Sequence, residues 1–123
     1  MKKILVIEDE PEIRRNLTTI LRLENFQPLA AENGQVGIQL ARQEKPDLVL
    51  CDVMMPELDG YGVITALRSD QETVNMPFIF LTASERREIG TGINLEADDY
   101  LTKPVGKSDL LAAIHSCLER TSG

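Results

Sequence analysis

The 123-residue sequence predicts an α/β fold built on a doubly wound, five-stranded parallel sheet. Two observations predict it. Short apolar runs alternate five times with segments whose apolar residues recur at helical spacing, the pattern of a parallel sheet with helices on both faces. The first run, residues 3–7 ("KILVI"), is also continuously apolar, as a strand covered on both sides must be.

The elements follow in chain order. After the first strand, Ile13, Leu17, Ile20 and Leu21 mark a helix from Pro11 to Glu24, with Pro11 in the first turn, where its missing N–H costs nothing. Residues 26–31, "FQPLAA", read as a weak second strand. Pro28 cannot donate to a ladder, so this strand belongs at a sheet edge. Gly34 opens a second helix with Val36, Ile38, Leu40 and Ala41 on its apolar face. The run Leu48-Val49-Leu50-Cys51 is the third strand, and a helix from Gly60 to Leu67 turns Val63, Ile64 and Leu67 inward. "PFIFL", 77–81, is the fourth strand. A polar helix is expected over 84–95, a short strand over 99–102, and a final helix around Leu110, Leu111, Ile114 and Leu118. The closing "ERTSG" reads as a frayed tail. With no repeat, low-complexity tract or linker in view, residues 1–123 are expected to form one domain.

Composition narrows the function classes. Hydrophobic residues are 42% and charged residues 27%, ordinary for a soluble globular chain. No apolar run approaches the length of a membrane span, and the run that stops at Glu8 is too short for the core of a signal peptide. Cys51 and Cys117 lack metal-ligand spacing and sit in apolar settings, so reduced, buried thiols in a cytoplasmic protein are expected. A net charge of −7 counts against direct nucleic-acid binding.

The chemistry collects at the strand ends. The first strand ends in Glu8-Asp9, the third in Asp52, the fourth in Thr82, and Lys103-Pro104 follows the fifth. Open α/β sheets bind ligands outside the carboxyl ends of their strands, so three acids, a hydroxyl and an ammonium converge on one edge. One such acid could merely cap the next helix; matched polar residues at four strand ends cannot all be dismissed so. Clustered carboxylates repel unless a cation is present. Mg²⁺ suits the set, because it takes one or two carboxylates and fills its other positions with water or phosphate oxygens. Lys103 is a point charge suited to phosphate, Thr82 can donate to a phosphoryl oxygen, and an aspartate can act as a nucleophile toward phosphorus.

These residues resemble the response-regulator receiver domain of bacterial two-component signalling. The likeness rests on "VIEDEP" after the first strand, "DLVLCDVMMPELDG" around the third, "LTAS" after the fourth and "ADDYLTKP" around the fifth, and it covers essentially the whole chain. It implies a flavodoxin-like (βα)5 sandwich with strand order 2-1-3-4-5. It implies that Asp52 accepts a phosphoryl group from a sensor histidine kinase or a histidine phosphotransfer protein. Asp9, Asp52 and the backbone carbonyl of Met54 would ligate Mg²⁺, with Glu8 acting mainly through water. Lys103 would pair with the phosphoryl group, and the Lys103–Pro104 bond would be cis, a form that X-Pro bonds adopt readily. Thr82 and the backbone N–H of Ala83 would contact the phosphoryl group, and Tyr100 would turn inward as Thr82 moves. Gly60 would permit the turn into the third helix, and Pro56 would stiffen the loop before it. The signalling face would combine the 84–95 helix, the fifth strand and the final helix, read by a downstream effector not named by the sequence. No enzyme activity beyond phosphorylation and dephosphorylation of the chain itself is implied, nor a membrane partner.

Simpler readings exist for some of these residues. Glu10 could cap the first helix, Tyr100 could be ordinary packing, the Met54 and Met55 side chains read as core filler, and His115 as a surface residue. The sequence also departs from the family pattern. The segment between Thr82 and "ADDY" is about one residue short, Glu96 stands where a glycine is usual, and Val105 replaces a frequent phenylalanine. Ala113 replaces the arginine that winged-helix regulators use for dimer salt bridges, so their symmetric dimer is less expected here. Two other classes fit the sequence less well. A haloacid-dehalogenase-type phosphatase would carry its nucleophile on the first strand, which here ends "EDEP". A phosphorylation-independent docking module would have no need of Asp9, Asp52, Thr82 and Lys103 together.

Overall fold

The computed structural model describes residues 1–83 and 97–122. Its strands are β1 (Lys3–Ile7), β2 (Gln27–Ala31), β3 (Leu48–Asp52), β4 (Phe78–Thr82) and β5 (Asp99–Thr102). Its helices are α1 (Pro11–Leu23), α2 (Gly34–Glu44), α3 (Gly60–Arg68) and α4 (Lys107–Ser122). All strand pairs are parallel, and the sheet order is β2-β1-β3-β4-β5. β2 lies at the edge, where Pro28 leaves no central ladder incomplete.

Strand periodicity divides the core in two. Leu5, Ile7, Val49, Cys51, Phe78 and Phe80 point to one face, where Ala41 of α2 and Val63, Ile64 and Leu67 of α3 cover them. Ile4, Val6, Leu48, Leu50, Ile79 and Leu81 point to the other, under Leu17 and Leu21 of α1 and Leu110, Ile114 and Cys117 of α4. Successive side chains of a strand face opposite ways, and with both faces covered each central strand must be apolar throughout. Both cysteines are free and buried, as expected.

The structure shifts several boundaries. β4 begins at Phe78, not Pro77: Pro77 has no N–H to offer, while Phe78 N–H donates to the Asp98 carboxylate at 2.8 Å. β2 begins at Gln27, with Phe26 buried beside it in the α1–α4 core. Residues 119–122, expected to fray, continue α4; Arg120 reaches back along that helix to the Cys117 sulfur at 3.2 Å. Glu10 occupies the N-cap position of α1, but its side chain makes no capping bond. The expected helix over 84–95 and the departure at Glu96 lie outside the described residues. Among the described residues no helix is long and apolar enough to cross a membrane.

Candidate functional site

The chain leaves β1 directly into Glu8, whose side chain is 0% exposed although acidic. Its backbone is held from both sides: its N–H donates to the Ala31 carbonyl at 3.1 Å, and the Arg14 guanidinium of α1 donates to the Glu8 carbonyl at 2.8 Å. Its Oε2 accepts from the Glu10 N–H at 3.1 Å. Its Oε1 faces the Lys103 ammonium, 2.9 Å away. Asp52 ends β3 at 4% exposure, with Oδ2 3.1 Å from the same ammonium. Asp9 is half-buried beside them, and one oxygen from each of Glu8, Asp9 and Asp52 falls within 4.8 Å of the others. Lys103 is delivered by the turn after β5, where its N–H donates to the Thr82 carbonyl at 2.8 Å. The Lys103–Pro104 bond is cis, as the resemblance implied.

Two buried carboxylates thus share one ammonium, with a third carboxylate, Asp9, beside them. Two like charges at this spacing repel by roughly 3–4 kcal/mol at an effective dielectric near 20. Burial and the Glu8 charge accordingly push the Asp52 carboxyl up to about 6, against the pull of Lys103. Burial draws the Lys103 ammonium down, but its pairs to Glu8 and Asp52 outweigh this and hold it above its ordinary value. The donor set is all oxygen and over-rich in negative charge, with three carboxylates around the Lys103 ammonium's two ion pairs. A hard divalent cation such as Mg²⁺ fits it.

The remaining site residues surround this cluster. Thr82, half-buried, ends β4 opposite Thr102. Ala83 is exposed and, with Lys103, Pro104, Val105, Ile13 and Ile20, lines a cavity of about 280 Å³. The Tyr100 ring is half-buried and stacked on Phe80, centroids 5.5 Å apart and planes at 27°. Any further inward movement therefore starts from a ring already partly packed. Gly60 is required by close approach: a Cβ there would lie 2.5 Å from the Asp52 carbonyl oxygen and 2.9 Å from the Phe80 ring. His115 is exposed on α4 and faces Phe26, with ring centroids 5.9 Å apart.

One expectation is corrected. Of the two methionines read as core filler, Met55 is 8% exposed and Met54 is 70% exposed. Val53 continues the sheet briefly by donating to the Leu81 carbonyl at 3.0 Å, so alternation sends Val53 and Met55 inward and Met54 out. Sequence reasoning also missed Arg14, which braces the Glu8 carbonyl from the first turns of α1, and Leu58, which packs on the first turns of α2 and α3. The available signal was the pair Gly34 and Gly62, poor helix formers placed inside helical starts.

Comparison with known proteins agrees with this geometry. Residues 4–115 match the family model described as the response regulator receiver domain. The protein PilH of Pseudomonas aeruginosa is 42% identical over 119 residues, covering 96% of this chain and 98% of PilH. A probable transcriptional regulator, ycf27, of Porphyra purpurea is 44% identical over 120 residues, covering 97% of this chain but 48% of that protein. The chain therefore spans about half the length of the ycf27 relatives it matches. The crystal structure of a response regulator receiver domain protein from Clostridium thermocellum superposes with a TM-score of 0.89 at 29% identity, covering 99% of this chain and 98% of that one. With its parallel 2-1-3-4-5 sheet, its acidic edge and this match over most of its length, the chain belongs to the receiver-domain family of two-component response regulators.

Proposed function

We propose that this receiver domain is a phosphoacceptor. Asp52 takes a phosphoryl group from the phosphohistidine of a sensor histidine kinase or a histidine phosphotransfer protein, in a Mg²⁺-dependent reaction. The phosphorylated form then presents an altered surface to a downstream effector protein. The observation that carries this reading is the buried Asp52 carboxylate, 3.1 Å from the Lys103 ammonium, with the Glu8 and Asp9 carboxylates beside it.

In the transfer step an Asp52 oxygen forms a bond to phosphorus while the donor's P–N bond breaks. The electron pair of that bond stays on the imidazole nitrogen. Only the ionised carboxylate attacks, and burial with the Glu8 charge holds its proton up to about pH 6. Positive charge brought to the acidic edge therefore favours the nucleophilic form. Asp9, Asp52 and the Met54 carbonyl would hold Mg²⁺ directly, with Glu8 reaching it mainly through water. The bound ion supplies the charge that lets an anionic phosphoryl group approach three acids. Lys103 stays with the phosphoryl group after transfer. The Thr82 hydroxyl and the Ala83 N–H donate to its new oxygens. Phosphorylation adds about −1.5 to −2 charges at this point, and Tyr100, stacked on Phe80, carries the change toward β5, α4 and the 84–95 segment. On this reading the chain modifies only its own carboxylate, acts on no separate substrate, and works in the cytoplasm without direct nucleic-acid or membrane partners.

The test is incubation with Mg²⁺ and acetyl phosphate. The wild-type chain should gain one acid-stable, base-labile phosphoryl group, and Asp52→Asn should gain none. Labelling of Asp52→Asn at the wild-type level would place the acceptor elsewhere.

A further inference from the structure

The loop after β3 is shaped by glycines of other elements. Leu58 sits where the first turns of α2 and α3 meet. A Cβ on Gly62 would collide with its Cδ1, and a Cβ on Gly34 would lie 3.0 Å from its carbonyl oxygen and 3.1 Å from its Cδ2. Both first turns are fixed by caps: Asn33 accepts from the Val36 N–H at 2.8 Å, and Asp59 from the Gly62 N–H at 2.9 Å. Leu58 therefore fills a notch whose walls are rigid and whose two glycines leave room for one branched side chain.

The backbone that delivers Leu58 is strained. Glu57 has φ 67°, and the Leu58 N–H turns back to the Pro56 carbonyl at 2.8 Å, closing a three-residue turn around a left-handed, non-glycine residue. Such a conformation persists only where its surroundings over-determine it. At its other end the loop is tied by the Val53 N–H to the Leu81 carbonyl at 3.0 Å, and by the Gly60 N–H to the Val53 carbonyl at 2.8 Å. Between the ties stands Met54, whose side chain is 70% exposed and so provides little anchorage for its own backbone.

We infer that Leu58 is a positioning residue for the cation: seated in the Gly34–Gly62 notch, it sets the loop backbone and with it the direction of the Met54 carbonyl. This rests on the metal site described under Proposed function. It adds a consequence by reciprocity: a ligand held by that carbonyl must in turn tighten the first turns of α2 and α3. Leu58 touches neither cation nor phosphoryl group; it acts through the loop.

The experiment is a Mg²⁺ titration of the whole chain by calorimetry and amide NMR, with thermal unfolding recorded for each variant. Leu58→Ala should weaken Mg²⁺ binding on the order of tenfold, the scale seen when groups supporting a metal ligand are removed. Leu58→Met conserves volume and should stay within about twofold of wild type. Gly62→Ala should also weaken binding, and adding Leu58→Ala to it should recover part of the loss, because the two changes act on one contact. In wild type, Mg²⁺ should shift the Val36 and Gly62 amides, an observation that stands even if Leu58→Ala does not fold. Unchanged affinity in folded Leu58→Ala, even with a lower melting temperature, would make Leu58 purely structural and overturn the inference, as would unmoved Val36 and Gly62 amides. Asp9→Asn separates the two levels. If it loses Mg²⁺ while Leu58→Ala does not, only this inference fails; if it binds like wild type, the metal site itself fails and the inference with it.

Discussion

The two ends of the sheet handle charge in opposite ways. At the amino ends of the strands, polar groups are matched. Asp47 accepts from the Lys3 N–H at 2.7 Å while its own N–H donates to the Lys3 carbonyl at 2.8 Å, and the Lys3 ammonium contacts Glu44 at 3.4 Å. Arg68 ties down the Val74 and Met76 carbonyls at 3.1 and 2.7 Å, and Asp98 receives the Phe78 N–H. At the carboxyl ends, two buried acids, Glu8 and Asp52, share one ammonium, and a third acid, Asp9, lies beside them. The amino end reads as structure. Among the described residues the carboxyl end carries more acid than base around Asp52, which is what a divalent cation would balance. Charge imbalance of this kind collects where a protein acts.

The contrast is broken most severely by removing the ammonium that Glu8 and Asp52 share. Lys103→Ala leaves Glu8 and Asp52 buried without their shared partner. Stripping one member of a buried ion pair costs about 3–5 kcal/mol. Chemical denaturation at neutral pH without divalent ions should show a loss of that order. A loss below about 1 kcal/mol, the scale of exposed pairs, would mean that the two acids are solvated after all.

The next effect has the opposite sign. The folded-state carboxyl of Asp52 titrates near 6, above its ordinary 3.8, so the folded chain holds this proton more tightly than the unfolded one. The resulting stabilisation is full below pH 3.8 and is lost as pH rises through 6. At 1.36 kcal/mol per unit, the difference is up to about 3 kcal/mol. Asp52→Asn removes the titration. In metal-free buffer it should be more stable than wild type at pH 7.5, with the gap closing toward pH 4. Added Mg²⁺ should narrow the gap at pH 7.5 by stabilising wild type alone. A wild type more stable than Asp52→Asn in metal-free buffer at pH 7.5 would refute the charge imbalance.

Legibility in the sequence follows the same division. The acidic edge could be read because a strand end is one place in both sequence and space: Glu8-Asp9, Asp52 and Thr82 each close an apolar run, and Lys103 follows the short fifth strand. The two core faces could be read because helix and strand periods dictate them. What could not be read depends on contacts between distant segments. Whether Met54 or Met55 turns inward is decided by the Val53 tie to Leu81. Leu58 acquires meaning only against Gly34 and Gly62. Arg14 looks like any helical arginine until the Glu8 carbonyl is placed before it. The run of α4 through Ser122 escaped notice because its last turns have no apolar period, and a helix continues on backbone bonds without one.

The smallest effect tests the amino end. Lys3 and Asp47 exchange two bonds, and only the one from the Lys3 N–H to the carboxylate uses the Asp47 side chain. Asp47→Ala deletes that acceptor and keeps the backbone bond from the Asp47 N–H. A hydrogen bond to a charged group contributes about 1.5–3 kcal/mol when well desolvated, and Asp47 is only half-buried, so water replaces part of it. A loss of about 1 kcal/mol by denaturation is expected. Mg²⁺ affinity and acetyl phosphate labelling of the folded protein should match wild type, because the carboxylate sits at the opposite end of the strands from Glu8, Asp9 and Asp52. The paired measurement is what gives this variant its value. If Asp47→Ala weakened Mg²⁺ binding as Asp9→Asn should, the ends of the sheet would be coupled, and the division between a matched structural edge and an unbalanced functional one would be wrong.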